Sequence, residues 1–536
     1  MPLSKQDNDY RFELIKRVDP KTVDIDRAFT NLLPLLKYEG ATITRGRSKF
    51  VTIDDLRIAI CELDSRKFEG FEEHPNVVSR WLESDFLSLV HRGKDIQQIA
   101  APLPMHLNTY KLRNIKHCRD YGVADQVFAL LYHGAPDVMK ALGDFLFRGA
   151  DYYSDKYDEK TDLDIETLLM MRILDQKERD YADNKKPADI PVPLYIGQAY
   201  LLGDDIARLL AYQEDVPRLV LIDYIKNVMA LHIGIYILRL FQVLPHLVEH
   251  GELHPNCHSP VVLREDMGLF IDDSSFPVRI QVDMGENYKT HMAELSRQQF
   301  NSHLQELNRY VRAHLKLKKL EEFALNLEHK GQIRRPQTLN EYLALQDYED
   351  QLELKTFFEI RIRGLMNTDD GEPPDERLIA IRRLGLSEID TYVEMLYLLR
   401  QRFHQKYYTE LLDSLFLKNR DNGLMRAGYG SINKRRYSLG SSLLETLVQI
   451  AVLESSPGGS FRTHSIRVDD FIDWLRRRYG IYISRLPDGR EPTIADLEAL
   501  RFNVDSFRKR LREIGFYTDL SDAYIAQVIR PRYHIG

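Results

Sequence analysis

The run from Leu219 to Leu244 limits the possible folds more than any other stretch of this chain. Apolar side chains fall on every side of a helix drawn through it, and only Asp223, Lys226 and Arg239 interrupt them. A helix apolar all round must be enclosed by others, so the chain is expected to build a helical bundle around it. The uncharged core, Asn227 to Leu238, falls short of the roughly 20 residues a membrane span requires. We therefore expect a buried helix, or two in succession, in a cytoplasmic protein with no membrane segment.

Helical periodicity continues on both sides. Thr52 and Asp55 have the spacing of a capping box ahead of Leu56, Ile58, Ala59 and Ile60. Asn76 to Val90 reads as a helix, as do Val123 to Tyr132, Pro136 to Phe147 and Asp164 to Leu174. Two longer helices are expected, one from His291 to Glu328 and one capped by Ser387 and carried to Asn422-Gly423. The strand signals are small: Ala41 to Ile43, Lys49 to Thr52, and Gly268 to Asp272 turning at Asp273-Ser-Ser275 into Pro277 to Asp283. Asp369 to Pro374 reads as an exposed loop.

At 536 residues the chain exceeds what one hydrophobic core ordinarily supports. We expect a mainly α, multi-domain protein: an α-rich N-terminal domain over 1–115, a helical body over 116–422 with a β-hairpin near 268–283, and a winged-helix-like domain over 423–536. The net charge is −7. From Arg420 onward nineteen Lys and Arg face fourteen Asp and Glu, which leaves about −12 on the remainder. A weakly basic end on an acidic body fits a single docking module rather than a generally basic nucleic-acid binder. The three cysteines, Cys61, Cys118 and Cys257, make no disulfide framework.

The C-terminal pattern is helix, turn, helix, short hairpin. Val468 to Tyr479 bears Phe471, Ile472, Trp474 and Leu475 and stops at Gly480, with Ile481 to Ile483 as a strand. Thr493 to Leu500 follows, with Ile494, Leu497 and Leu500 inward. Asn503 then caps Val504 to Ile514, whose apolar face is Val504, Phe507, Leu511 and Ile514. Residues 516–529 form the proposed wing. In such a module the last helix meets duplex DNA while cations neutralise phosphates. Arg508, Lys509, Arg510, Arg512, Arg530 and Arg532 are the candidate contacts.

Other motifs carry less chemistry. His246, His250, His254, Cys257 and His258 include four-residue steps suited to a metal, but Gly251 and Pro255 break the helix between them. Asp272, Asp273, Asp283 and Glu286 resemble strand-borne carboxylates of a magnesium site, without the lysine that restriction-type nucleases add. Glu353-Leu-Lys355 has those letters in a helical context. Gly423 to Ser431 is glycine-rich, yet Tyr429 stands where a Walker loop needs lysine, so it reads as a linker. No catalytic, metal-ligating or cofactor-binding set is assigned.

The segment Arg435-Arg-Tyr-Ser-Leu-Gly-Ser-Ser-Leu-Leu-Glu-Thr-Leu-Val-Gln-Ile-Ala-Val-Leu453 and the ending Leu511 to Tyr524 through Arg532 resemble non-enzymatic subunits of methylation-associated anti-phage defence systems. The Ala230 to Pro245 helix shares the likeness weakly. The resemblance implies a complex with partner enzymes on foreign DNA and transfers no site residue. Three functions follow as expectations: a scaffold or DNA-sensing subunit, a metal-dependent hydrolase working through His246 to Glu286, and a purely protein-binding adaptor.

Overall fold

The computed structural model describes residues 3–4, 7–43, 52–62, 68–92, 96–151, 161, 163–174, 185–186, 190–265, 267–272, 275–367, 375–428, 434–455, 460–487, 489–517 and 528–536. The expected loop at Asp369 to Pro374, the strand residues Lys49 to Val51, Asp273, and most of the proposed wing lie outside them.

In the N-terminal part, α1 (Ile25–Lys37) is followed by β1 (Thr42–Ile43), α2 (Ile53–Cys61) and α3 (Pro75–Trp81). The Thr52–Asp55 capping box is present. The expected Asn76 to Val90 helix stops early: after Trp81 the backbone widens into a π turn, and Leu87–Arg92 becomes β2, paired with β3 (Ile96–Pro102). That β-rich run finds an antiparallel partner a few residues on, and pairing outweighs helical spacing.

The helical body follows: α4 (Val123–Gly134), α5 (Pro136–Phe147), α6 (Ile165–Leu174), the short β4 (Lys185–Lys186) paired with β1, and α7 (Ile196–Leu210). The apolar run forms one 33-residue helix, α8 (Arg218–His250). By length and composition α8 suffices to cross a membrane, but 94% of its most apolar stretch is buried inside the protein. Beyond a single turn, α9 (Pro255–His258), come β5 (Val261–Glu265), β6 (Gly268–Asp272) and β7 (Ile280–Gln281). The long helix α10 (His291–His329) has 39 residues, or about 58 Å of axis. It packs on α8 and on α14 (Glu388–Leu415), with α11 (Leu339–Ala344), α12 (Gln351–Met366) and α13 (Glu376–Arg382) between them in sequence. Ser387 caps α14 as expected. The helix ends at Leu415 rather than Asn422, because Leu417 and Asn419 turn into left-handed backbone.

The hairpin is displaced from its expected place. Its arms are β5 and β6, not 268–272 with 277–283, and Gly268, at φ 118°, opens β6 opposite Glu265. Ile280 and Gln281 are both buried, which suits a parallel strand covered on two faces. That strand, β7, pairs with the C-terminal β13 (Ile481–Tyr482).

After α14 the ladder β8 (Met425–Ala427) and β9 (Arg435–Tyr437) replaces the expected linker at Gly423, and Met425 is fully buried. Next come α15 (Ser441–Ala451), β10 (Leu453–Ser455), β11 (Phe461–Thr463), β12 (Ile466–Arg467), α16 (Val468–Tyr479), β13, α17 (Ile494–Glu513) and β14 (Val528–Ile529). The last strand pairs with β12. One main core runs from Phe12 to Ile529, and a second gathers α2, α3, the β2–β3 hairpin and α6. The mainly α reading holds.

Candidate functional site

The C-terminal helices owe their placement to side chains spent on the body. Gly480 ends α16 at φ 67°, and a Cβ there would run into the Val278 carbonyl, so only glycine lets β13 lie beside β7. Asn503, the expected cap of a last helix, sits buried in the middle of α17. Its Nδ2 donates to the Val282 and Ile483 carbonyls, both at 2.9 Å, and its Oδ1 accepts from the Met284 amide at 2.7 Å. Those bonds explain why α17 runs unbroken where two helices are expected. The true cap is Thr493, in a capping box with Asp496.

Continuity of α17 also fixes its faces. Leu500, Asn503, Phe507 and Leu511 point inward. Ile494 and Leu497, expected inside, stand 78% and 54% exposed, and Phe502 stands 58% exposed. At 100° per residue these three share with Arg501, Arg508, Lys509 and Arg512 an outward arc of about 140°. A strong capping signal just before Ile494 marks the helix start but says nothing about which face turns outward.

The six candidate cations divide. Lys509, Arg512, Arg530 and Arg532 are exposed. Lys509 lies 3.8 Å from Glu513, and the Arg512 guanidinium sits 5.9 Å from the Tyr517 ring centre. Arg508 is drawn toward Asp469 and Asp505, each at 3.5 Å. Arg510 is largely buried, reaching the Ser441 hydroxyl at 3.2 Å and Glu513 at 3.4 Å. Arg532 ion-pairs with Glu445, donates to the Ile514 carbonyl at 2.9 Å and lies 4.6 Å over the Phe516 ring. Arg510 and Arg532 thus tie the tail to α15.

Behind α17 lies a buried ion network. Asp205 of α7 accepts from Arg478 Nε at 2.9 Å, from the Tyr479 hydroxyl at 2.6 Å and from His232 Nε2 at 2.7 Å. Gln198 Nε2 contacts His232 Nδ1, which leaves the hydrogen on Nε2 for Asp205. Asp204 accepts from Arg208 Nε at 2.9 Å and from Arg478 at 2.7 Å. Burial pushes the Asp205 carboxyl up, but the Arg478 guanidinium and the His232 and Tyr479 hydrogen bonds hold it down at about 2. With its oxygens occupied by protein donors, Asp205 clamps α7, α8 and α16 together.

The histidine and carboxylate candidates do not converge. His246 and His250 stack with ring centres 4.0 Å apart, and Phe276 packs edge-on against His246 and His254. Burial, then the neighbouring His250 and His254, lowers the His246 pKa. His254 Nδ1 accepts from the Asn256 amide at 3.2 Å, and Cys257 is buried while His258 is exposed. Asp283 is locked in a buried ion pair with Arg436 at 2.8 Å, while Asp272 and Glu286 are exposed. Among the described residues no group of three His, Cys, Asp or Glu side chains is placed to hold a metal ion. Glu353 lies on α12, paired with Lys330 at 2.6 Å, as its helical context requires.

A helical body with its C-terminal elements clamped to it, and an outward helix mixing apolar and cationic side chains, has the character of a component of a larger assembly. Comparison with known families makes the class definite: the chain is a component of a methylation-associated defence system. It belongs to the family described as Methylation-associated defense system protein MAD7, whose model matches residues 5–533. The match spans nearly the whole chain rather than its last hundred residues. No curated protein and no solved structure matches it.

Proposed function

We propose that this protein is a non-catalytic scaffold subunit that docks another component of its defence system through the outward face of α17. The observation that carries this reading is the exposure of Ile494, Leu497 and Phe502 on one 20-residue helix. Each large apolar side chain returned to an apolar contact is worth roughly 1.5–3 kcal/mol when fully buried. The cations beside them favour a partner element with an apolar stripe and acidic flanks.

The reading is tested by co-purifying the full-length protein with the other components of its system. Ile494→Asp combined with Leu497→Asp replaces two of the three apolar side chains at exposed positions, so capture of the partner is lost while the melting temperature holds. Unchanged capture by the double variant overturns the assignment of this face.

A second reading, duplex DNA as the ligand, is favoured by the outward Lys509, Arg512 and Arg530. Each phosphate contact adds about 0.9 to the slope of log affinity against log salt. Replacing all three cations by glutamate then abolishes retardation of duplex DNA at low salt. Equal retardation by wild type and triple variant excludes these residues as the contacts.

A further inference from the structure

Gln298, Gln299, Ser302, His303 and Glu306 recur at one-, three- and four-residue steps along α10, and together they line a cleft of about 330 Å³. Gln242 of α8, Arg279, Gln281 of β7 and Arg490, itself paired with Asp496 at 2.7 Å, close its other sides, with Leu295, Leu486, Pro277 and Pro487 as its apolar surfaces. This volume lies in the range of sites for small ligands.

The lining has unfilled hydrogen-bonding capacity. Gln281 is 1% exposed; its Nε2 donates to the Tyr482 carbonyl at 3.1 Å, while its Oε1 is buried with no donor. His303 Nδ1 lies 2.7 Å from the Tyr437 hydroxyl. Burial holds the imidazole neutral, its pKa lowered to about 4, and raises the Tyr437 pKa, so the hydroxyl donates and Nε2 keeps the hydrogen. Arg279 is exposed; its charge acts on the Glu306 carboxylate of the same cleft, but among the described residues it makes no direct ion pair or hydrogen bond. Gln242 donates to Glu306 at 3.3 Å.

We propose that this cleft binds a nucleotide whose base carries an exocyclic amino group, with Arg279 on the phosphate and Gln281 and His303 on the base edge. Planar amides match the donor and acceptor pattern of a base edge, and a guanidinium matches a phosphate. The amino group supplies the donor that Gln281 Oε1 lacks, while proline and leucine side chains offer surfaces for the ring. A simple anion leaves that oxygen unmet, and an uncharged sugar makes no use of the Arg279 guanidinium. The same chemistry is presented by a free nucleotide and by an unstacked nucleotide of a single strand.

Calorimetry on the full-length protein tests the proposal, using AMP, CMP, UMP, adenosine, inorganic phosphate and a single-stranded oligonucleotide of adenine and cytosine. AMP or CMP is expected to bind about tenfold or more tighter than UMP. Arg279→Gln, at an exposed position, weakens AMP by about tenfold or more and leaves adenosine unchanged. Binding of the oligonucleotide alone, weakened by the same substitution, supports the proposal and identifies a strand as the source. Phosphate or UMP binding as tightly as AMP overturns it, as does the absence of binding by every ligand in the panel.

Discussion

Arg478 Nε donates to Asp205 at 2.9 Å, and neither side chain retains any exposure to solvent. The two residues belong to α16 and α7, separated by 273 positions in sequence. A guanidinium sealed in the interior needs its counter-charge, so neither member of this pair, which links the C-terminal elements to the body, can be removed alone without cost.

Removing one partner leaves the other buried and uncompensated. Arg478→Ala is expected to lower the free energy of unfolding by about 3–5 kcal/mol. Asp205→Asn falls in the same direction with a smaller loss, since it keeps some acceptors for Tyr479 and Arg478. Urea titration of the full chain reads both. A loss from Arg478→Ala no greater than that of an exposed control such as Lys509→Ala contradicts the clamp.

Asn503 offers a sharper contrast with its neighbour. Asn503→Leu strands the Met284 amide and the Val282 and Ile483 carbonyls, and should destabilise by about 3 kcal/mol or more. Phe502→Ala, one residue away but exposed, should change stability by less than about 0.5 kcal/mol. Thermal melts of the two variants measure this; equal shifts mean that Asn503 does not hold α17 to the strands.

Acid should unfold the protein in two stages. Burial lowers His303 and His404 from 6.5 to about 4, so between those values the unfolded chain binds more protons and stability falls as pH falls. Each buried imidazole accounts for about 3 kcal/mol by the end of that window. Asp205, depressed from 3.8 to about 2, adds a loss only as pH drops below 3.8. Unfolding free energies taken across these intervals should bend first below 6.5. A profile between 6.5 and 4 no steeper than that of a variant with both histidines replaced by glutamine contradicts their burial.

Lys16 acts in the same direction at higher pH. It is buried, donating to the Val18 carbonyl at 2.7 Å with its ammonium 4.6 Å from the Tyr408 ring centre. Burial lowers its pKa from 10.5 to about 7, partly offset by Asp19. The folded state therefore resists the charge, a penalty complete below pH 7 and fading as pH rises to 10.5. Lys16→Met should stabilise by about 2 kcal/mol at or below neutrality, with the gain shrinking in alkali. Loss of stability at neutral pH, read by the same titrations, argues that the ammonium itself is needed.

Much of the helical scaffold could be read from residues alone, because caps and apolar periodicity are local. Thr52 with Asp55, Ser387 with Asp390, the buried run of α8 and the length of α10 are all properties of neighbouring residues. The strand pairings were not legible in this way. The hairpin reverses between Glu265 and Gly268, and Ile280 finds its partner at Ile481. Nothing near either residue specifies a parallel neighbour two hundred positions distant.

The candidate cations divide along the same line. Composition places six of them in the tail, and Lys509, Arg512 and Arg530 do face outward. Whether an arginine is free or engaged depends on which carboxylate the fold brings to it. Glu445 reaches Arg532, and Asp469 comes within 3.5 Å of Arg508. Ile494 and Leu497 lie outward because Asn503, bonded to Val282 and Ile483 just beyond β7 and β13, sets the rotation of the whole helix. Local chemistry thus specified most of the helical segments, though not the strand at Leu87 or the continuity of α17 through Asn503, since those forces act over a few residues. Facing, pairing and burial of charge came from distant contacts, whose energies exceed any local preference.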